Sequence, residues 1–202
     1  MDLLGILDFI VRTFIIVCLI DGLIMGFPLP AKKRTYKKEY MLKVPNRFDY
    51  QKNTECSGFS VAFVLRSYGV EANGNDFYAG IPFKMPGGAV VPVVLKREII
   101  KHGLKAEYVK GDLDTLKADI SDDKRIIVFM RTRLGKRWLH YVPIVGYDEE
   151  NVYIAESMKS LANCQDENYN RKLTSQEFLK YWNTREIYMP FYKYTYLVVE
   201  KS

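Results

Sequence analysis

Residues 55–68 read ECSGFSVAFVLRSY and are followed by Gly69, and the fold is decided by how this stretch is read. Phe59, Val61, Ala62, Phe63, Val64 and Leu65 leave little polar surface at helical spacing, so the stretch predicts a helix buried nearly all round. Asn53 or Thr54 can cap its start, and Gly69 can supply the left-handed residue after its end. Working outward, a second helix is predicted around 91–102, ended by Gly103, and a third near 113–120. The pattern then changes. Arg125–Thr132 (RIIVFMRT) is a short β-branched run, and Trp138–Tyr147 and Asn151–Ala155 flank Asp148-Glu149-Glu150 as a hairpin. Thr174–Trp182 reads as a helix with a capping box to Glu177, and Tyr192–Glu200 as a last strand. Helices first and an antiparallel sheet afterwards predict an α+β domain.

The 202 residues suffice for one domain with a real core, and no repeat or low-complexity run divides them. The formal charge is +6, but residues 1–43 hold seven Lys/Arg against four Asp/Glu. Half of the excess therefore sits in the run Lys32, Lys33, Arg34, Lys37, Lys38 and Lys43. A basic run directly after an apolar segment is a membrane-flanking pattern more often than a nucleic-acid footprint, so no nucleic-acid partner is expected. The three cysteines, Cys18, Cys56 and Cys164, form no disulfide framework and no Cys-x-x-Cys pair. With two histidines, His102 and His140, neither a metal nor any other cofactor is expected.

Leu3–Pro30 is strongly apolar and long enough to cross a bilayer, which takes about twenty residues. Asp8 and Arg12, four apart, can pair on one helical face, while Asp21 falls on another. The sequence leaves three readings open: a membrane anchor over residues 3–27, a cleaved signal, or a helix packed on the protein. Pro28, Pro30 and the basic run suggest a linker over 31–43, with the globular domain spanning 44–202. The positive-inside pattern places that domain on the cytoplasmic side of a membrane if residues 3–27 anchor it, whereas cleavage would make it secreted.

Cys56 lies in the predicted first helical turn, where unpaired N–H groups and the helix dipole stabilise a thiolate. His140 sits in the alternating strand WLHYV and could serve as its base. His102, before Gly103 at a helix end, reads as structural. Ser57 and Gly58 are small enough to let a substrate backbone approach.

YQKNTECSGFSVAFVLRSYG (50–69) and LHYVPIVGYDEENVYIAES (139–157) together resemble the papain-like cysteine peptidases. The likeness is to free-standing relatives of the bacteriocin-processing, double-glycine-leader peptidases, and it covers about residues 45–183. The stretch from Gly87 to Ile120 is similar to that group's helix, strand and helix before the sheet. The resemblance implies a papain-like fold with the Cys-bearing helix packed on an antiparallel sheet. It further implies Cys56 as nucleophile, His140 as base, Gln51 as the oxyanion-hole side chain and a peptide or protein as substrate. Gln51 lies five residues before Cys56, one fewer than usual, and Glu156-Ser157 stands where an aspartate is more usual.

Hairpin register tests Glu156 independently. A two-residue loop at Glu149-Glu150 sets Glu156 opposite Pro143, facing away from His140. A three-residue loop, or a bulge supported by Gly146, brings Glu156 onto the face of His140. Asp148 and Asn163 are the alternative orienting residues. Tyr169-Asn170-Arg171 either line the cleft or cover the sheet, and Trp182 is expected to pack. Three functions fit these residues: a thiol hydrolase, most simply a peptidase; an acyltransferase or amidase using the same thioester; and a peptide-binding module without turnover.

Overall fold

The computed structural model describes residues 3–43, 47–136, 138–185 and 191–202. In chain order it places α1 (Leu3–Met25), β1 (Leu29–Pro30), β2 (Tyr40–Met41), α2 (Cys56–Ser67), α3 (Gly74–Gly80) and α4 (Pro92–Lys101). After these come β3 (Leu104–Lys110), α5 (Leu113–Ser121), β4 (Arg125–Arg131), β5 (Leu139–Tyr147), β6 (Asn151–Ile154), β7 (Arg171–Thr174), α6 (Ser175–Trp182) and β8 (Thr195–Lys201). One sheet runs β1-β3-β8-β4-β5-β6-β7, with β2 on the end of β5; every pairing except β1–β3 is antiparallel. Helices lie on both faces.

The alternation of β4 shows how the layers form. Ile126, Val128 and Met130 enter a core with Leu116 and Ile120 of α5 and with Phe178 and Trp182 of α6. Ile127 and Phe129 enter a second core with Val61, Val64 and Leu65 of α2 and with Leu95 and Ile99 of α4. Successive strand side chains point to opposite faces, so a central strand covered on both sides is apolar throughout. Trp182 packs as expected: it is fully buried and donates its indole N–H to the Thr195 carbonyl at 2.9 Å.

Several elements differ from the sequence reading. β3 alternates buried Leu104, Ala106 and Tyr108 with exposed Lys105 and Glu107, a period-2 pattern that only the family likeness had anticipated. α3 carries glycine at both ends of its seven residues and is started by Asn73, whose side chain accepts from the N–H groups of Asn75 and Asp76. β7 is four residues long and Leu173 is its one apolar residue. Residues 31–43, expected as a linker, are strapped to the domain. Arg34 is ion-paired with Asp119 and Asp122, Tyr36 donates to Asp114 at 2.8 Å, and Tyr40–Met41 pair with β5.

α1 behaves differently along its length. Cys18, Gly22 and Met25 are buried against the domain, whereas the apolar side chains from Leu3 to Val17 are exposed. The Phe27 ring lies over Gly22, where an added Cβ would fall 2.1 Å from it and the ring would have to move aside.

Candidate active site

α2 begins at Cys56 itself. The residue before the helix is Glu55, whose side chain makes no capping bond; its carboxylate instead accepts the Asn53 N–H at 2.7 Å. Neither Asn53 nor Thr54 caps this helix, contrary to expectation. The N–H groups of the first turn are therefore left without a side-chain acceptor from the cap position, beside a half-buried cysteine. Ser60, one turn on, ties the helix to the sheet by donating to the Tyr141 carbonyl at 2.8 Å. Gly58 serves packing rather than substrate approach: a Cβ there would meet the Gly74 carbonyl oxygen at 2.3 Å, so glycine lets α3 close on α2.

His140, near the start of β5, is 2% exposed and close enough to Cys56 for the thiol to favour its protonated form. Its Nε2 lies 2.7 Å from Glu156 Oε1, which leaves Nδ1 as the nitrogen for sulfur. The bulge that this contact requires is present. β5 and β6 pair Tyr147 with Val152 and Gly146 with Tyr153, and then shift so that Ile144 faces Ile154. Extended past β6, the shifted register sets Glu156 level with Val142, on the face that His140 shares. Gly146 is needed beside the bulge because β2 packs closely there: a Cβ would lie 2.7 Å from the Tyr40 carbonyl oxygen and from Met41 Sδ.

Glu156 is held from every side. Oε1 also accepts the Met158 N–H at 2.7 Å, and Oε2 accepts from Arg171 at 2.8 Å. Asn170 clamps the Glu156 backbone, accepting its N–H at 2.6 Å and donating to its carbonyl at 2.8 Å. Burial disfavours the imidazolium, but the Glu156 charge and the bonds to Cys56 and Glu156 outweigh it, and His140 is pushed up to about 10. Burial likewise opposes ionisation of Glu156, yet His140 and Arg171 together hold its carboxyl below the usual range. The arrangement favours a charged imidazole between a carboxylate and a thiol.

Gln51 is docked next to this group. Its backbone N–H donates to the Ser157 carbonyl at 2.9 Å, and its Oε1 accepts from Ser157 Oγ at 2.7 Å. Its Nε2 donates to the Asn53 carbonyl at 2.6 Å, which leaves one N–H of the amide for another acceptor.

The other candidates are engaged elsewhere. Asp148 stays in the hairpin turn, accepting from Glu150 N–H, Asn151 N–H and Nδ2, and Tyr153 Oη. Asn163 closes a loop onto Lys172 through both its amide oxygen and its amide nitrogen. Neither therefore orients His140. His102 packs its ring 5.2 Å from Phe77. Tyr169 covers the sheet, 4.4 Å from Tyr153. A groove of about 680 Å³ that includes Tyr40, Asp148, Tyr153 and Tyr169 lies at the far end of β5 from His140 and contains none of the cysteine chemistry. Sequence reasoning missed Asn170 and Arg171 as supports of Glu156. No short-range sequence signal marks them, since β7 delivers both by pairing with β6. Among the described residues, no three His, Cys, Asp or Glu side chains gather as a metal site.

A helix that starts on cysteine, packed against a strand bearing histidine, with an acid past the next strand, defines a cysteine peptidase-type domain of papain-like fold. The chain belongs to the Peptidase_C39 like family, whose model matches residues 41–188. Among solved structures it is similar to a Bacillus anthracis protein described as a C39-like peptidase, with TM-score 0.60 and 16% identity over 82% of this chain and 99% of that one. It is also similar to the peptidase domain of Streptococcus ComA, a bi-functional ABC transporter involved in quorum sensing, with TM-score 0.57, 13% identity and coverage of 78% and 99%. A third is a double glycine motif protease from an AMS/PCAT transporter in complex with the leader peptide, with TM-score 0.56, 17% identity and coverage of 80% and 94%. A search of curated proteins finds no match.

Proposed function

We propose that the protein is a cysteine peptidase in which Cys56 attacks a peptide carbonyl, His140 transfers the proton and Glu156 orients and charges the imidazole. The observation that carries this reading is the buried His140–Glu156 pair, 2.7 Å apart, with His140 on the strand to which the helix that starts at Cys56 is tied by Ser60. The thiolate adds to the carbonyl carbon. His140, protonated in the resting pair, then gives its proton to the departing amine, and an acyl-enzyme remains. Water deprotonated by His140 attacks the thioester; the C–S bond breaks, the acid departs, and the thiolate is restored beside the protonated His140. The oxyanion is assigned to the Cys56 backbone N–H and the remaining Gln51 amide N–H. The likeness to a protease holding a leader peptide supports an extended peptide as substrate.

α1 is assigned as a membrane anchor, with the domain on the cytoplasmic side. Its 23 residues and exposed apolar flanks support that reading. Exposed Lys32 and Lys33 follow it after β1, while Arg34 is drawn off into ion pairs.

Cys56→Ala and His140→Ala are each expected to abolish peptide hydrolysis while circular dichroism and the unfolding midpoint show an intact fold. Full activity in Cys56→Ala would exclude this mechanism. One observation favours a second reading, a peptide-binding groove without turnover: the Gln51 amide already bonds Asn53 and Ser157. Under that reading Cys56 would react with a thiol probe no faster than Cys164.

A further inference from the structure

The sheet register places the candidate site and the root of α1 at the same end of the molecule. β3 ends at Lys110, which pairs with Thr195 at the start of β8. Tyr196 pairs with Val128 at the middle of β4, so that Thr195 falls toward its C-terminal end, and Arg131 at the end of β4 pairs with Leu139 at the start of β5, one residue before His140. The α1 root is fastened to that same end. Leu29–Pro30 pair with Val109–Lys110, Tyr192 Oη donates to the Asp21 carbonyl at 3.2 Å, and the rings of Phe27 and Phe191 meet at 5.9 Å.

Between β4 and β5 at this end is a turn that includes Arg133, Leu134, Lys136 and Trp138, all exposed. Trp138 is 77% exposed and Leu134 53%, in a chain whose other tryptophan is fully buried. A tryptophan and a leucine beside two cations suit the headgroup layer of a bilayer, where an amphipathic ring is favoured and cations meet anionic lipid.

Helix length separates a distant anchor from a close one. Residues 3–17, the part of α1 clear of the domain, extend about 22 Å at a rise of about 1.5 Å per residue, short of a hydrocarbon core of about 30 Å. The remaining length must come from the turns holding Cys18, Gly22 and Met25, which are packed on the domain on one side and expose Leu19, Ile20, Leu23 and Ile24 on the other. A bilayer that covers those residues touches the domain. Asp8 and Arg12 would enter it as a 2.7 Å ion pair, which lessens the cost of carrying either charge there.

We propose that this end of the sheet lies against an anionic bilayer, with Leu134 and Trp138 in the headgroup layer. The candidate site around Cys56 and His140 then lies near the membrane surface, within reach of peptide segments that emerge from it or lie on it. The substrate part of this inference rests on the peptidase reading; the membrane contact does not.

The test uses the full chain in vesicles of phosphatidylcholine and phosphatidylglycerol with brominated acyl chains. Trp138 emission is expected to fall by about half against unbrominated vesicles, as for an interfacial ring, while the residual Trp182 emission of Trp138→Phe stays unchanged. Failure to float with the vesicles, or equal Trp138 emission in both kinds, would overturn the proposal. Alkylation of Cys56 on the same vesicles reads the peptidase assignment separately. Slow labelling with quenched Trp138 leaves the membrane contact standing and removes the peptidase; fast labelling without quenching does the reverse.

Discussion

Glu156 and Asp148 are carboxylates at opposite ends of one hairpin strand, and both are rich in hydrogen bonds. Asp148 is pinned by donors from its own turn; burial pushes against its ionisation, but the bonds from Tyr153 and Asn151 hold it down to about 2. Glu156 is buried among partners from two other strands, His140 of β5 and Arg171 of β7, besides the Met158 N–H two residues on. The first arrangement is local and shapes a turn. The second is assembled by the tertiary fold and couples a carboxylate to an imidazole that touches a thiol. Hydrogen-bond number therefore does not mark a working carboxylate; the identity and origin of the partners do.

The sharpest way to break the comparison is to truncate each carboxylate. Glu156→Ala is expected to lower kcat/KM by about 10²–10⁴-fold, because the imidazole loses its orienting charge. It should also lower stability by about 3 kcal/mol, since Arg171 is left buried without its partner. Asp148→Ala is expected to lower stability by about 1–2 kcal/mol through the lost turn bonds, with kcat/KM within about twofold of the parent. Equal catalytic losses from the two would remove the distinction. Gln51→Ala falls between them. A missing oxyanion donor lowers kcat by about 10²–10³-fold with little change in KM, whereas a purely structural Gln51 would alter stability and leave kcat alone.

Acidity sharpens the comparison further. His140 is raised from 6.5 to about 10, so its contribution to stability is fully present below pH 6.5 and is lost as pH rises toward 10. Glu156 is lowered from 4.5, so its contribution is present above that value and is lost as pH falls through its depressed one. Denaturant midpoints of Cys56→Ala should therefore be highest between about pH 4.5 and 6.5 as far as this pair is concerned. In Glu156→Gln the alkaline loss should move down toward pH 6.5, because the imidazolium has lost its counter-charge. An unmoved alkaline limb would contradict the pairing.

Sequence reasoning reached the parts of the site that have short-range signals. The apolar run after Cys56 marked α2, the β-branched and alternating runs marked β4, β5 and β6, and the capping box at Thr174 and Glu177 marked α6. Parity also showed what Glu156 would require, a loop of odd length or a bulge, without choosing between them; the register shift between Ile144 and Gly146 is the second. Gly146 is where it is because the β2 backbone approaches it, and Tyr40 lies more than a hundred residues away in the chain. Long-range partners account for the other gaps. The basic run near Arg34 looks like a linker until Asp119 and Asp122 are brought beside it. Asn170 and Arg171 look like ordinary polar loop residues until β7 folds against β6 and delivers them to Glu156.

The central claim is that the His140–Glu156 pair makes Cys56 unlike the other two cysteines. Cys164, whose thiol is pushed up by burial and by the nearby Asp166, and the buried Cys18 provide internal references. The direct measurement is the iodoacetamide alkylation rate of each cysteine, resolved by mass spectrometry across pH in the parent and in Glu156→Gln. The account predicts that Cys56 reacts at least about tenfold faster than Cys164 at pH 6, with the advantage reduced in Glu156→Gln. Equal rates for Cys56 and Cys164 at that pH, or an advantage unchanged by Glu156→Gln, would contradict it.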